Sequence, residues 1–293
     1  MLISKNLVTR IIVAAIAIPA ILWISDQGGF WLFGLVTVLS VLAMTEILSG
    51  EGYGFDHPLF WLAQVCLLAA LVSSARSLFW TTEAGDILQS MSLFLFTLPI
   101  ITIFFLLSGL YFSLGTQPPE ELFRRHSRLV WGIGYILMLY PYVFALGDFS
   151  RMFAIDGFTG GDCLLLLFGI LWLGDTAAMW VGSTFGRHKL APGVSPNKTI
   201  EGFLGGLAAA VVVGIVIGLW KFQSLSLIHL IFIALGCSIF GQLGDLVESM
   251  WKRSLGKKDS SGLIPGHGGV LDRFDSLLFA APFMYGYLIL LVT

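Results

Sequence analysis

The residues equipped for chemistry fall almost entirely between positions 171 and 275. One stretch reads Gly241-Gln-Leu-Gly-Asp-Leu-Val-Glu-Ser-Met. Asp245 and Glu248 are spaced i,i+3 and Asp245 and Ser249 i,i+4, so a helix places all three on one face. Arg253 joins that face if the helix continues one turn further. Two acids a turn apart on the polar face of an otherwise apolar helix suit a hard cation better than they suit a helix end meeting water. A loop follows, Lys257-Lys-Asp-Ser-Ser-Gly-Leu-Ile-Pro-Gly-His-Gly-Gly-Val-Leu-Asp-Arg-Phe-Asp. Its Gly262, Gly266, Gly268 and Gly269 allow backbone N–H groups to approach an anion, and Arg253, Lys257 and Lys258 add positive charge beside it. Asp272 and Asp275 then open the last helix. Acids favour helix N-termini, so capping accounts for one of them; two around Arg273, straight after a Gly-rich loop, exceed what capping needs. His267 has three open readings: phosphate donor, structural donor or bystander.

A second loop runs Gly182-Ser-Thr-Phe-Gly-Arg-His-Lys-Leu-Ala-Pro-Gly-Val-Ser-Pro-Asn-Lys-Thr-Ile-Glu-Gly. It offers Ser195, Asn197, Lys198 and Thr199 as phosphate-friendly donors. Neither loop carries the GxxxxGK[ST] pattern, which excludes a P-loop NTPase. Asp175 interrupts an apolar run, and a carboxylate at membrane depth costs at least about 2.5 kcal/mol unless it faces a partner, a cation or water. The plainer alternative is an interfacial acid capping a helix break after Gly174. Acids suited to Mg²⁺ beside basic, Gly-rich loops suited to phosphates point to a divalent cation bridging phosphate oxygens. Phosphoryl or nucleotidyl transfer is the reaction class.

The elements that must position these groups are membrane spans. Of 293 residues, 57% are apolar and 12% charged, with 24 Phe and 9 Trp, and the mean hydropathy is +0.89. A soluble domain carries about 25% charged residues, so a soluble enzyme, a nucleic-acid binder and a disordered chain are excluded. Cys66, Cys163 and Cys237 lie in or beside apolar runs without CxxC spacing and read as small buried hydrophobes. Charge-free intervals cover 11–25, 27–45, 57–75, 87–119, 129–147, 163–174, 202–220, 222–244 and 276–293. A crossing needs about 17–25 residues; the first interval gains Leu7 and Val8, and the sixth resumes past Asp175. The fold class is therefore all-α, a polytopic membrane protein of about nine helices. Lys5 and Arg10 before an apolar run also fit a cleaved signal peptide, but the spans that follow favour a retained first helix.

With the N-terminus inside, only Arg76, Arg151 and Lys221 of the 16 Lys and Arg fall outside. The positive-inside rule thus makes the N-terminus and both loops cytoplasmic. Residues 1–115 carry little polar chemistry and read as an N-terminal scaffold, and 116–293 as the catalytic region of one continuous membrane body.

Residues 249–275 have Ser249, Arg253, Lys258-Asp259, Ile264-Pro-Gly-His-Gly-Gly269 and Asp272-Arg273-Phe-Asp275. This resembles, without a missing position, the signature of the phosphatidate cytidylyltransferases. Residues 174–206, with Gly174-Asp175-Thr176, Ser195-Pro-Asn-Lys-Thr199 and Glu201-Gly202, are similar to that family too; the first 115 residues match no motif of it. The resemblance implies an inner-membrane homodimer that joins CTP and phosphatidic acid into CDP-diacylglycerol and pyrophosphate with Mg²⁺, a second cation being left open. It implies Asp245 and Asp272 as main metal ligands, with Asp175, Glu248 and Asp275 near the metal or nucleotide. Arg253 and Lys258 join the two main acids as catalytic residues. Ser195, Asn197, Lys198, Thr199, Glu201, Ser249, Gly266, His267, Gly268, Gly269 and Arg273 would hold the substrates. Two rivals stand beside it: a CTP-dependent enzyme for another lipid, and an ion-coupled transporter. Transporter sites lie near the bilayer midplane, whereas these acids lie at span ends.

Overall fold

The computed structural model describes residues 5–75, 78, 87–153 and 157–292. Its elements are α1 (Lys5–Gln27), α2 (Gly29–Gly50), α3 (Pro58–Ser74), α4 (Ile87–Ser113), α5 (Pro119–Gly147), α6 (Phe149–Phe153), α7 (Gly160–Phe185), β1 (Lys189–Ala191), β2 (Ser195–Thr199), α8 (Ile200–Lys221), α9 (Leu227–Ser254) and α10 (Leu271–Val292). Seven of them, α1, α2, α5, α7, α8, α9 and α10, are long and apolar enough to cross a membrane. The third and fourth expected spans are, among the described residues, the shorter apolar helices Pro58–Ser74 and Thr97–Ser113. Arg76, counted with the outer charges, lies outside the described residues, as does the side chain of Lys5.

Charge-free apolar runs become helices because only intra-segment hydrogen bonding satisfies the backbone in hydrocarbon. Caps mark several starts. Thr159 and Asp162 form a reciprocal capping box at α7, with the Thr159 hydroxyl accepting from the Asp162 N–H at 3.1 Å and Asp162 Oδ2 accepting from the Thr159 N–H at 2.8 Å. α5 opens on Pro119 with Glu120 and Glu121 in its first turn, where proline and acids both fit a helix N-terminus. One apolar core runs from Leu32 on α2 through Phe144 on α5 and Leu167 on α7 to Met284 on α10, so the N-terminal helices share a packed interior with the loop-bearing ones.

Three local features set the geometry that matters. α7 passes Gly174 and Asp175 without a break, and α9 continues through Gly241 and Gly244 to Ser254. α7 and α8 touch through small residues: a Cβ on Gly202 would meet the Ala178 carbonyl oxygen at 2.7 Å, and one on Gly205 would meet Val181 at 2.7 Å. The segment after α7, expected as a loop, is instead a β-hairpin. β1 pairs antiparallel with β2, Lys189 opposite Thr199 and Ala191 opposite Ser195. Pro192 and Gly193 occupy its turn, which Val194 closes by donating its N–H to the Ala191 oxygen at 3.2 Å.

Candidate active site

α9 carries Asp245, Glu248, Ser249 and Lys252 toward α10. The approach is close because Gly244 lacks a side chain; a Cβ there would lie 2.8 Å from the Asp275 carbonyl oxygen. Asp245, Glu248 and Asp275 consequently each offer a carboxylate oxygen, and these oxygens lie within 4.8 Å of one another. Three carboxylates that close repel unless a cation or protons stand between them. Glu248 is buried, and its Oε1 has no hydrogen-bond partner among the described residues. An acid set with an unsatisfied buried oxygen fits a hard divalent cation. Lys198, from β2, reaches Asp245 Oδ2 at 2.6 Å, and the Ser249 hydroxyl donates to Asp245 Oδ1 at 3.3 Å.

Asp272 stands apart from that trio. Its Oδ1 accepts from Lys252 Nζ at 2.6 Å, and its Oδ2 accepts from the N–H groups of Ser260 at 2.9 Å and Gly269 at 2.7 Å. Lys252 also pairs with Glu248. The expected pairing of Asp245 with Asp272 around one cation is therefore not what the chain brings together: Lys252 and the loop N–H groups occupy Asp272, and Asp275, one turn on, takes the place beside Asp245. Sequence reading missed Lys252 as a site residue, although its i,i+4 spacing from Glu248 on an apolar helix was a usable signal.

Two other expected substrate contacts have partners within the hairpin and the helix that follows it. The Thr199 hydroxyl caps α8 by accepting from the Gly202 N–H at 3.1 Å. Glu201 gathers the Arg187 N–H at 3.0 Å, the His188 N–H at 3.2 Å and the His188 ring nitrogen Nδ1 at 2.6 Å. Arg253 ties the two loops together, donating to the Lys257 carbonyl at 2.9 Å and to the Val194 carbonyl at 3.4 Å. Lys258 and Asn197 are exposed and Ser195 is half-buried. Gly266 and Gly268 adopt left-handed φ of 77° and 85°, which glycine tolerates at little cost.

A cavity of about 470 Å³ opens beside the acids. Its apolar lining includes Ala14, Ala17 and Ile18 of α1 and Phe168 and Leu171 of α7; its polar lining includes Asp175, Thr176, His267, Arg273 and Asp275. His267 Nδ1 is buried without a partner among the described residues. The apolar lining suits an alkyl chain and the polar lining a charged group.

The sequence model of the cytidylyltransferase family matches residues 8–291 of this chain. The phosphatidate cytidylyltransferase of Staphylococcus haemolyticus is 50% identical over 121 residues, which are 41% of this chain and 46% of that protein. That of Bacillus subtilis is 50% identical over 116 residues, 40% of this chain and 43% of the relative. These alignments thus span a little under half the length of each curated relative.

Proposed function

Since this chain belongs to the cytidylyltransferase family, we propose that it joins CTP to phosphatidate, forming CDP-diacylglycerol and pyrophosphate at the cytoplasmic face of an inner membrane, as a homodimer. The carrying observation is the cluster of the Asp245, Glu248 and Asp275 carboxylates, the last of which lines a cavity with both apolar and polar walls. Asp245, Glu248 and Asp275 would hold Mg²⁺, with Asp175 on the polar wall and Asp272 keeping its loop in place. When bound, Mg²⁺ supplies neutralisation of phosphate charge.

A phosphate monoester has a second pKa near 6, so phosphatidate reaches the site largely as a dianion and needs no strong base. One of its phosphate oxygens attacks the α-phosphorus of CTP; the bond from that phosphorus to the oxygen bridging to the β-phosphate breaks, and pyrophosphate leaves. The barrier is the approach of two anions and their in-line alignment. Lys198 beside Asp245, with Arg253 in the last turn of α9 and Lys258 on the loop that follows, offsets that charge. Arg273 and His267, which line the cavity, would hold the lipid phosphate while α1 and α7 take a chain. Ser195, Asn197, Ser249 and the backbone of Gly266 and Gly268 would contribute further donors.

Purified protein in detergent, given CTP, Mg²⁺ and phosphatidate, should release pyrophosphate in equal amount to CDP-lipid, and a chelator should stop it. Absence of pyrophosphate, or release that ignores the lipid, overturns the reading. The orientation has its own check. In intact cells Glu120→Cys and Asp259→Cys should resist a membrane-impermeant thiol reagent, and labelling of either contradicts it.

A further inference from the structure

Glu46 lies near the end of α2, in the half of the chain that carries no recognisable motif. Its neighbours Ala43, Met44, Ile47 and Leu48 are buried, and Glu46 itself is 4% exposed. The carboxylate is not stranded there. Oε1 accepts from the Ser261 hydroxyl at 2.7 Å and the Val270 N–H at 2.8 Å. Oε2 accepts from the Leu271 N–H at 2.9 Å and lies 2.9 Å from the Ser260 hydroxyl. That hydroxyl is also 2.9 Å from Asp272 Oδ2, so its single proton is shared between two acids. Val270 and Leu271 stand at the start of α10, where backbone N–H groups have no partner inside the helix. An acid contributed by another helix supplies one, through charge-assisted bonds that are stronger than neutral ones.

Gly269 carries the mark of this arrangement. A Cβ at Gly269 would lie 2.5 Å and 2.6 Å from the two Glu46 oxygens and 1.9 Å from the Ser260 hydroxyl. Its N–H is also taken, by Asp272. This glycine is thus required by the carboxylate from α2, and not by the approach of a phosphate.

We propose that Glu46 is a positioning residue: with Asp272 it folds the 260–271 loop and caps α10 so that Arg273 and Asp275 face the cation and phosphate site, which makes α2 part of the reaction centre. The role in turnover rests on the nucleotidyl transfer proposed above; the role in folding the loop does not. Glu46→Gln separates the two. The amide keeps the size of the acid, but whichever way it turns, its NH₂ confronts a backbone N–H and a serine hydroxyl.

Wild type and Glu46→Gln, purified in the same detergent, would be compared by amide hydrogen exchange and by steady-state kinetics per folded protein. Exchange at Val270 and Leu271 should accelerate while α9 stays protected. The kcat should fall ~10–100-fold, the usual cost of losing a partner that orients a ligand, with melting of the whole protein little changed. Glu46→Asp, which keeps both acceptor oxygens, should recover part of the rate. A residue that only stabilised the fold would leave kcat per folded molecule untouched. Unchanged kcat, or unchanged exchange at both amides, refutes the proposal. Should wild type release no pyrophosphate, the reaction is wrong, yet the exchange still decides whether Glu46 shapes the loop. Should Glu46→Gln not fold, Ser261→Ala removes one donor, and a loop amide pattern identical to wild type then rejects the idea.

Discussion

The two loops on the active face are built alike and held differently. Each joins two long helices, carries a lysine and is gathered by a carboxylate that accepts backbone N–H groups. The hairpin between α7 and α8 is held by Glu201, a half-buried acid that water still reaches and that gathers residues 13 and 14 positions away. The loop between α9 and α10 is held by Asp272 and Glu46, both shielded from solvent, the second from more than 200 positions away. An anchor that water reaches shares its partners with it and is more easily replaced by it. A buried anchor leaves unpaired donors when it goes. The hairpin therefore has freedom to adapt to a ligand, whereas the second loop is set before any ligand arrives.

Lys252 tests this most severely. It is the only cation in contact with Glu248 and Asp272 among the described residues. Lys252→Met leaves two buried acids uncompensated, and stability should fall by about 3–5 kcal/mol, the range for breaking a buried ion pair from one side. Thermal or denaturant unfolding in detergent measures it, and a loss below 1 kcal/mol on the same scale would put the second loop in the hairpin's class.

Asp245→Asn comes next. It is expected to lower turnover by more than ~100-fold, beyond the cost typical of an indirect ligand partner. Metal-free melting should hold or rise, because one of three mutually repelling carboxylates is neutralised. A helix-capping acid would show the reverse, a stability loss with activity tracking folded protein.

The glycines of the loops give a smaller contrast. Gly269→Ala places a methyl group into Glu46 and Ser260 and should cost about 1–3 kcal/mol, as overpacking does. Gly193→Ala in the hairpin turn meets nothing within 4 Å and should be neutral or stabilising by up to about 1 kcal/mol. Parallel unfolding curves decide, and equal costs would erase the distinction.

Smallest in stability is Lys198→Ala. Its pair with Asp245 is partly exposed, 26% and 33% for the two side chains, so about 1 kcal/mol or less is expected. The apparent KM for CTP or phosphatidate should nonetheless rise. Unchanged kinetics would remove Lys198 from the phosphate site.

Much of this was readable in one sequence because it is local. Hydropathy located the long helices, and i,i+3 and i,i+4 spacing put Asp245, Glu248 and Ser249 on one face. The Gly-rich segments marked both loops. What stayed hidden is pairing over distance. Nothing in the spacing says that Asp275 rather than Asp272 joins Asp245, because that depends on how closely Gly244 lets α9 approach α10. Glu46 showed only as the acid that ends a charge-free interval. Thr199 and Glu201 drew attention as polar residues in a phosphate-friendly loop, yet a helix start and a hairpin need the same residue types.

The unbroken course of α9 also fixes a depth. At about 1.5 Å per residue, Asp245 stands ~27 Å along the axis from Leu227, close to the roughly 30 Å thickness of a bilayer's hydrocarbon layer. A helix that enters the layer at Leu227 thus brings Asp245 close to the level of the lipid phosphates on the far side. A lipid bound there keeps its tails at their native height, and each methylene spared from water saves about 0.8 kcal/mol. In the nucleotidyl transfer proposed above, the lipid would then reach the acids by sliding sideways in the membrane, and only the nucleotide would have to come from water.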